Sequence, residues 1–206
     1  MPEKVYFLPV EDGLAAGAQA QAMAKIFDAA SAQKIIAKDD FVAIKMHVGE
    51  ALHGTTYLKP EIVREVVQKV HTYGGQPFLT ETSTLYRGER ENAVKHLLHA
   101  HKRGFGIDNV GAPFIMADGL TGNAEYEVEI GGELNAKVKI AREIIAADAL
   151  FVISHATGHM LTGVGACIKN LGMGFASRMG KMRQHSAMKP RIKASSCKFC
   201  QKCLKW

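Results

Sequence analysis

The run Phe41-Val-Ala-Ile-Lys-Met46 leaves a chain few places to put it. Its near-continuous apolar character suits a strand covered on both faces, as in a parallel sheet. Pro77-Phe-Leu-Thr80, Pro113-Phe-Ile-Met-Ala117 and Ala149-Leu-Phe-Val-Ile153 read as strands too, and Val5 to Val10 reads as a first strand ahead of them. Stretches of helical period lie between. Met23, Ile26, Phe27 and Ala30 mark one face of a helix expected from about Leu14 to Ala37. Pro60 opens a second, with Ile62, Val63, Val66, Val67 and Val70 on one stripe and Gly74-Gly75 as its stop. A third is expected from Glu89 to Arg103, with Ala93, Val94, Leu97 and Leu98 inward and basic residues in the last turn, where the helix dipole favours them. Val138 to Ala147 is expected as a helix as well. Tyr126, Val128 and Ile130 alternate with Glu125, Glu127 and Glu129, the pattern of a half-exposed strand at an edge or in a hairpin.

Strands alternating with helices predict an α/β domain, its sheet mostly parallel or mixed, with helices on both faces. With 47% hydrophobic and 22% charged residues, the composition excludes a disordered chain. Its 206 residues suit one α/β domain, residues 1–194, with a small appendage at 195–206. No apolar run reaches the ~18 residues of a membrane span. The N-terminus lacks the pattern of a secretory signal, so a cytoplasmic protein with no membrane partner is expected.

The net charge of +6 is unevenly spread. No acidic residue follows Asp148, while Ala149 to Trp206 contains ten Lys or Arg. Such a segment faces something negative: a small anionic ligand, an anionic cluster, an acidic partner protein, or the acidic residues of the N-terminal part. Phe199 and Trp206 accompany the charge, but no nucleic-acid-binding motif does, so nucleic acid is not the expected partner.

In α/β sheets ligands bind beyond the C-terminal ends of the strands. Four strand ends carry ionisable or hydroxyl groups: Lys45 to Glu50, Thr80 to Gly88, Asp118 to Gly122, and Ser154 to His159. A polar pocket lined by His47, Glu50, Glu81, Asp118, His155 and His159 is expected, with His47, Glu50, His155 and His159 as candidate acid–base groups. The competing reading has these histidines hydrogen-bonded to their own loops. The spacing of His47, Glu50 and His53 also allows a metal, but it is not the helical His-Glu-x-x-His arrangement. His71, His96, His99 and His101 lie near helix ends and read as structural. Further on, Gly163, Gly165, Gly172 and Gly174 surround Lys169 and Asn170. Glycines let main-chain N–H groups approach an anion, so Gly163, Gly165, Lys169 and Asn170 are candidate ligand contacts, with Arg178 and Lys181 able to complete the site. The pattern matches neither the P-loop nor the dinucleotide fingerprint, and tight packing of glycines on the sheet is the alternative. Cys167 reads as a small packed side chain.

Cys197-x-x-Cys200-x-x-Cys203 is the opening of a bacterial ferredoxin run. Three thiolates so spaced predict a 4Fe–4S cluster, with a zinc site completed by a histidine such as His185 as the rival. The fourth cysteine of that run would fall one position past Trp206. The segment is therefore read as the start of a ferredoxin-like unit cut short, its cluster incomplete or absent in this 206-residue form. The flanking Lys189, Arg191, Lys193, Lys198, Lys202 and Lys205 would stabilise a reduced cluster or dock an acidic redox partner.

Taken together, Val42 to Glu50, Gly75 to Gly88, Gly111 to Gly119, Leu161 to Gly165, Lys169 to Gly174 and the cysteines resemble the iron–sulfur family called domain of unknown function 362. The resemblance implies a ferredoxin-type segment with 4Fe–4S clusters after the α/β domain, and it implies no substrate. This chain has Ser154-His-Ala-Thr-Gly-His159 where the family leads one to expect an aromatic and a lysine between the histidines, and Glu81 where it leads one to expect Asp. The function expected is that of an iron–sulfur protein whose α/β domain binds a small anionic ligand in a redox process. The alternative is an electron carrier or cluster-delivery protein without a substrate. No complete nucleophile–base set or cofactor fingerprint is present, so no reaction class follows.

Overall fold

The computed structural model describes residues 4–50, 56–160, 162–185 and 193–201. Four parallel strands form the central sheet: β1 (Phe41–Lys45), β2 (Gln76–Glu81), β3 (Phe114–Met116) and β6 (Ala149–Val152), in the order β3-β2-β1-β6. An antiparallel hairpin of β4 (Glu125–Glu129) and β5 (Lys137–Ala141) and a small ladder of β7 (Gly158–His159) and β8 (Gly163–Val164) stand apart from it. The helices are α1 (Ala16–Ala29), α2 (Pro60–Thr72), α3 (Ala93–Lys102), α4 (Ile107–Val110), α5 (Arg142–Ala146), α6 (Ala166–Gly172) and α7 (Arg178–Gln184).

Both faces of the sheet are covered, as the apolar strand runs require. On one face Val42 and Ile44 of β1 and Leu79 of β2 pack with Phe27 of α1, Val63, Val66, Val67 and Val70 of α2, and Ala100 of α3. On the other, Leu150 of β6 joins Ala141, Ile144 and Phe175. Helix α2 ends where Gly74 takes φ +87° and Gly75 meets the core: a Cβ on Gly75 would sit 2.9 Å from methyl carbons of Ile36, Val42 and Val70. Among the described residues, no helix is long and apolar enough to cross a membrane.

Four expectations are corrected. Residues 5–10 form no strand: Val5 and Phe7 are exposed and no neighbour pairs with the segment, in which Pro9 also lacks an N–H. The first helix stops at Ala29 because Ser31 turns left-handed (φ +53°), and a 3₁₀ turn, Ala32–Ile35, follows. The segment from Val138 begins as strand β5, leaving only Arg142–Ala146 helical. The cause is charge complementarity: Lys137 and Lys139 stand opposite Glu129 and Glu127, and Lys137 reaches Glu129 at 2.9 Å. Helix α3 starts at Ala93, where the Asn92 side chain accepts a hydrogen bond from the Lys95 N–H at 3.0 Å. It buries Ala93, His96, His99 and Ala100, and leaves Val94, Leu97 and Leu98 exposed.

This inversion of α3 is directly testable. Ile44→Ala empties a site on the sheet with no exposed surface and should cost about 3 kcal/mol. Leu98→Ala should change stability by no more than about 0.5 kcal/mol. Urea unfolding of both variants measures the contrast, and comparable losses would contradict the orientation of α3.

Candidate functional site

The connections leaving β1 and β6 diverge. From β1 the chain moves through α2 to β2 and on to β3, whereas β6 lies on the opposite side of β1. That reversal opens a crevice between neighbouring strand ends, where α/β sheets place their ligands. A cleft of about 680 Å³ occupies it. Its walls come from the segments after β1, β2 and β6 and from helices α6 and α7. Four lysine or arginine side chains (Lys45, Arg90, Lys169, Lys181) against two glutamates (Glu50, Glu81) line it, an excess of two positive charges with every histidine neutral.

The floor of the cleft is a set of buried charges. Glu81, the last residue of β2, is 2% exposed. Arg90 Nη1 donates to its Oε2 at 3.3 Å, and Lys45 Nζ lies 3.9 Å from its Oε1. His96 Nε2 is 2.6 Å from Oε2, close enough for an ion pair but without the alignment of a hydrogen bond. Burial would raise the Glu81 carboxyl, but Lys45, His96 and Arg90 overcome it and hold the group well below the usual range. Lys45, the last residue of β1, donates to the Met46 carbonyl at 2.9 Å and to Asn170 Oδ1 at 2.6 Å. The orientation of Asn170 is set from behind, since its Nδ2 donates to the Ile153 carbonyl and to Ser154 Oγ. Lys181 of α7 donates to Thr82 Oγ1 at 2.6 Å and to the Ser83 carbonyl at 2.7 Å. Desolvation lowers both lysines to about 8, with Glu81 opposing it at Lys45 and Asp118 at Lys181.

Around this floor the charges are also paired. Arg90 Nη2 donates to Tyr86 Oη at 2.8 Å and to Glu50 Oε1, and the Tyr86 hydroxyl donates to the same Glu50 oxygen. Burial, reinforced by Glu50, pushes Tyr86 up to about 12. Burial works against ionisation of Glu50 too, but Arg90 and Tyr86 outweigh it and lower its carboxyl. Desolvation lowers His47. Asp118 sits beneath the cleft, not on its wall, and accepts from the Ser83 N–H at 2.8 Å. Burial raises its carboxyl against the pull of Lys181.

His47, Glu50, His155, His159, Gly165, Lys169 and Asn170 all border this one cleft. Gly163, in β8, does not. The loop histidines also make the local contacts of the competing reading: His47 Nδ1 accepts from the Gly49 N–H at 3.0 Å, and His155 Nδ1 lies 3.1 Å from Thr157 Oγ1. His53 lies outside the described residues, and among those described no three His, Cys, Asp or Glu side chains cluster as metal ligands. Arg178 is elsewhere, reaching toward the Glu91 and Thr121 carbonyls. Cys167 is exposed on α6, not packed, because α6 turns that side outward with Ile168. Lys45 and Arg90 were not singled out by sequence reasoning. The signal for Lys45 was present: a lone cation inside a run too apolar for a solvated face.

In the tail, Cys197 and Cys200 carry exposed free thiols, and Cys203 lies outside the described residues. Phe199 and Gln201, on either side of Cys200, both take left-handed backbone (φ +49° and +55°), so the chain here is neither helix nor strand but a tight irregular loop. Thiolate donors are of a kind that both an iron–sulfur cluster and zinc accept.

Residues 42–204 match the family model described as domain of unknown function (DUF362). No curated protein and no solved structure matches the chain.

The buried charges make stability depend on pH in a defined way. Below about 8 both lysines are charged whether folded or unfolded, and the cost of burying them is fully present. Between about 8 and the ordinary value of 10.5 the unfolded chain binds more protons, so stability should rise with pH. Glu81 acts at the acid end: its contribution is present above 4.5 and is lost as pH falls through its lower folded value. Urea midpoints across this range should show both trends, and Lys45→Met should reduce the alkaline rise. A rise unchanged in that variant would contradict the assignment.

Proposed function

The chain belongs to the DUF362 family, and we propose that its α/β domain binds a small anionic ligand in the cleft between β1 and β6, in a redox process served by the cysteine segment. One observation carries the reading: two lysines, each less than a tenth exposed, end on the floor of a cleft whose lining has an excess of positive charge. Burying an ammonium is costly unless something negative repays it. Glu81 and Asp118 do so in part, and a ligand anion would complete the compensation.

The residues divide the work by depth. Lys45, Lys181 and Arg90 would bind the anionic group. Exposed Lys169, on α6, would draw it in from solvent. His47, His155 and His159, half-buried on the cleft wall, would give or take protons at their ring nitrogens. Cys197, Cys200 and Cys203 would hold a 4Fe–4S cluster together with a fourth ligand outside the triplet. Such a cluster, when bound, supplies one-electron transfer. The basic residues around the cysteines suit an acidic redox partner, and free thiols suit the cytoplasm.

Two measurements test the reading. Titration with inorganic phosphate, small carboxylates and nucleotides should give saturable binding of at least one anion. Lys169→Met should weaken it about threefold or more with little change in melting temperature. A cleft that takes none of them would favour an electron carrier without a substrate. Anaerobically purified protein should contain iron and acid-labile sulfide in near-equal amounts, and both should be lost in Cys197→Ala. Stoichiometric zinc without sulfide would exclude the cluster.

A further inference from the structure

An ammonium group has three N–H donors and no acceptor. Lys45 commits two, to Met46 O and Asn170 Oδ1, and Lys181 commits two, to Thr82 Oγ1 and Ser83 O. Among the described residues neither makes a third hydrogen bond: Glu81 Oε1, at 3.9 Å from Lys45, is too far. Both side chains are more than nine-tenths buried and both line the cleft. A buried charged donor left open is expensive, so the geometry describes a place made for a partner.

The two lysines belong to one bay. Thr82 Oγ1 accepts from Lys181 and donates to the Gly174 carbonyl at 2.9 Å. A Cβ built on Gly174 would lie 2.8 Å from Lys45 Nζ and 2.1 Å from the Asn170 carbonyl. Gly174 thus joins the surroundings of both ammoniums, and no side chain can intrude there. Neither partner set is adjustable, since Asn170 is oriented from behind and Thr82 is committed in both directions.

We propose, on the reading that this cleft takes a small anion, that the anion is a carboxylate and that the open N–H donors of Lys45 and Lys181 receive it. Two open donors match two carboxylate oxygens. Each ammonium is also already in the field of a protein carboxylate: Glu81 lies 3.9 Å from Lys45, and Asp118 acts on Lys181 without an ion-pair contact. A singly charged group adds to that arrangement with less repulsion than a phosphate monoester, which carries three terminal oxygens and a charge of about −1.5 to −2 at neutral pH.

Calorimetric titration of the whole chain with acetate, pyruvate, succinate and inorganic phosphate tests this. At least one carboxylate should bind in preference to phosphate. Lys45→Met and Lys181→Met should each weaken it about tenfold or more. In the unmodified protein carboxylate affinity should fall as pH rises past about 8, where the ammoniums lose their protons, and this measurement stands even if a variant fails to fold. Phosphate binding without carboxylate binding would overturn the proposal but leave the cleft an anion site. So would carboxylate binding indifferent to pH and to both substitutions. If neither carboxylate nor phosphate binds, the anion-site reading falls as well.

Discussion

An ammonium group at the end of a central strand, with almost no access to water, is the constraint around which the rest is arranged. Lys45 lies on β1, flanked by β2 and β6, where its neighbours Ala43, Ile44 and Met46 are wholly buried. A cation there is tolerable only with acceptors and countercharge, and three separate parts of the chain supply them. Glu81 comes from the neighbouring strand, Asn170 from α6, and the Met46 carbonyl from the turn out of β1 itself. Each supplier is held in turn: Glu81 by Arg90 and His96, Asn170 by Ile153 and Ser154.

That chain of dependence explains why α3 buries His96 and His99 and leaves its leucines to solvent. A buried carboxylate with only one cation at 3.9 Å would be poorly compensated. His96, with no exposed surface, brings a ring nitrogen to Glu81, and Arg90, just ahead of α3, brings a guanidinium. Arg90 then extends the network outward to Glu50 and Tyr86 at the cleft wall. The apolar stripe of α3 lost its place in the core to this network, since a helix cannot turn both faces inward.

A floor built this way is costly to stability. Each buried lysine is charged at neutral pH against a desolvation penalty that its protein partners only partly offset. A fold selected for stability alone would do better with apolar residues of similar volume at both positions. Buried ionisable groups with shifted proton affinities, collected at the one point where strand order reverses, are the usual mark of a binding or reaction site.

Much of this was legible in the residues. The near-continuous apolar runs at 41–46, 77–80 and 149–153 determined strands covered on both faces, because a half-solvated strand would have alternated. The polar residues directly after those runs pointed to one place at the strand ends: His47, Glu50, His155 and His159 border a single cleft, as do Lys169 and Asn170 further along the chain. Three things were left to the tertiary structure. The orientation of α3 was undetermined because Ala93/His96/Ala100 and Val94/Leu97/Leu98 repeat at the same helical spacing, and periodicity cannot say which stripe meets the sheet. Strand β5 was hidden because Lys137 and Lys139 acquire their meaning only opposite Glu129 and Glu127. The pairing of Lys45 with Asn170, 125 residues apart, and of Lys181 with Thr82, 99 apart, depended on which loops the sheet order brings together, and distance along a sequence carries no signal of that.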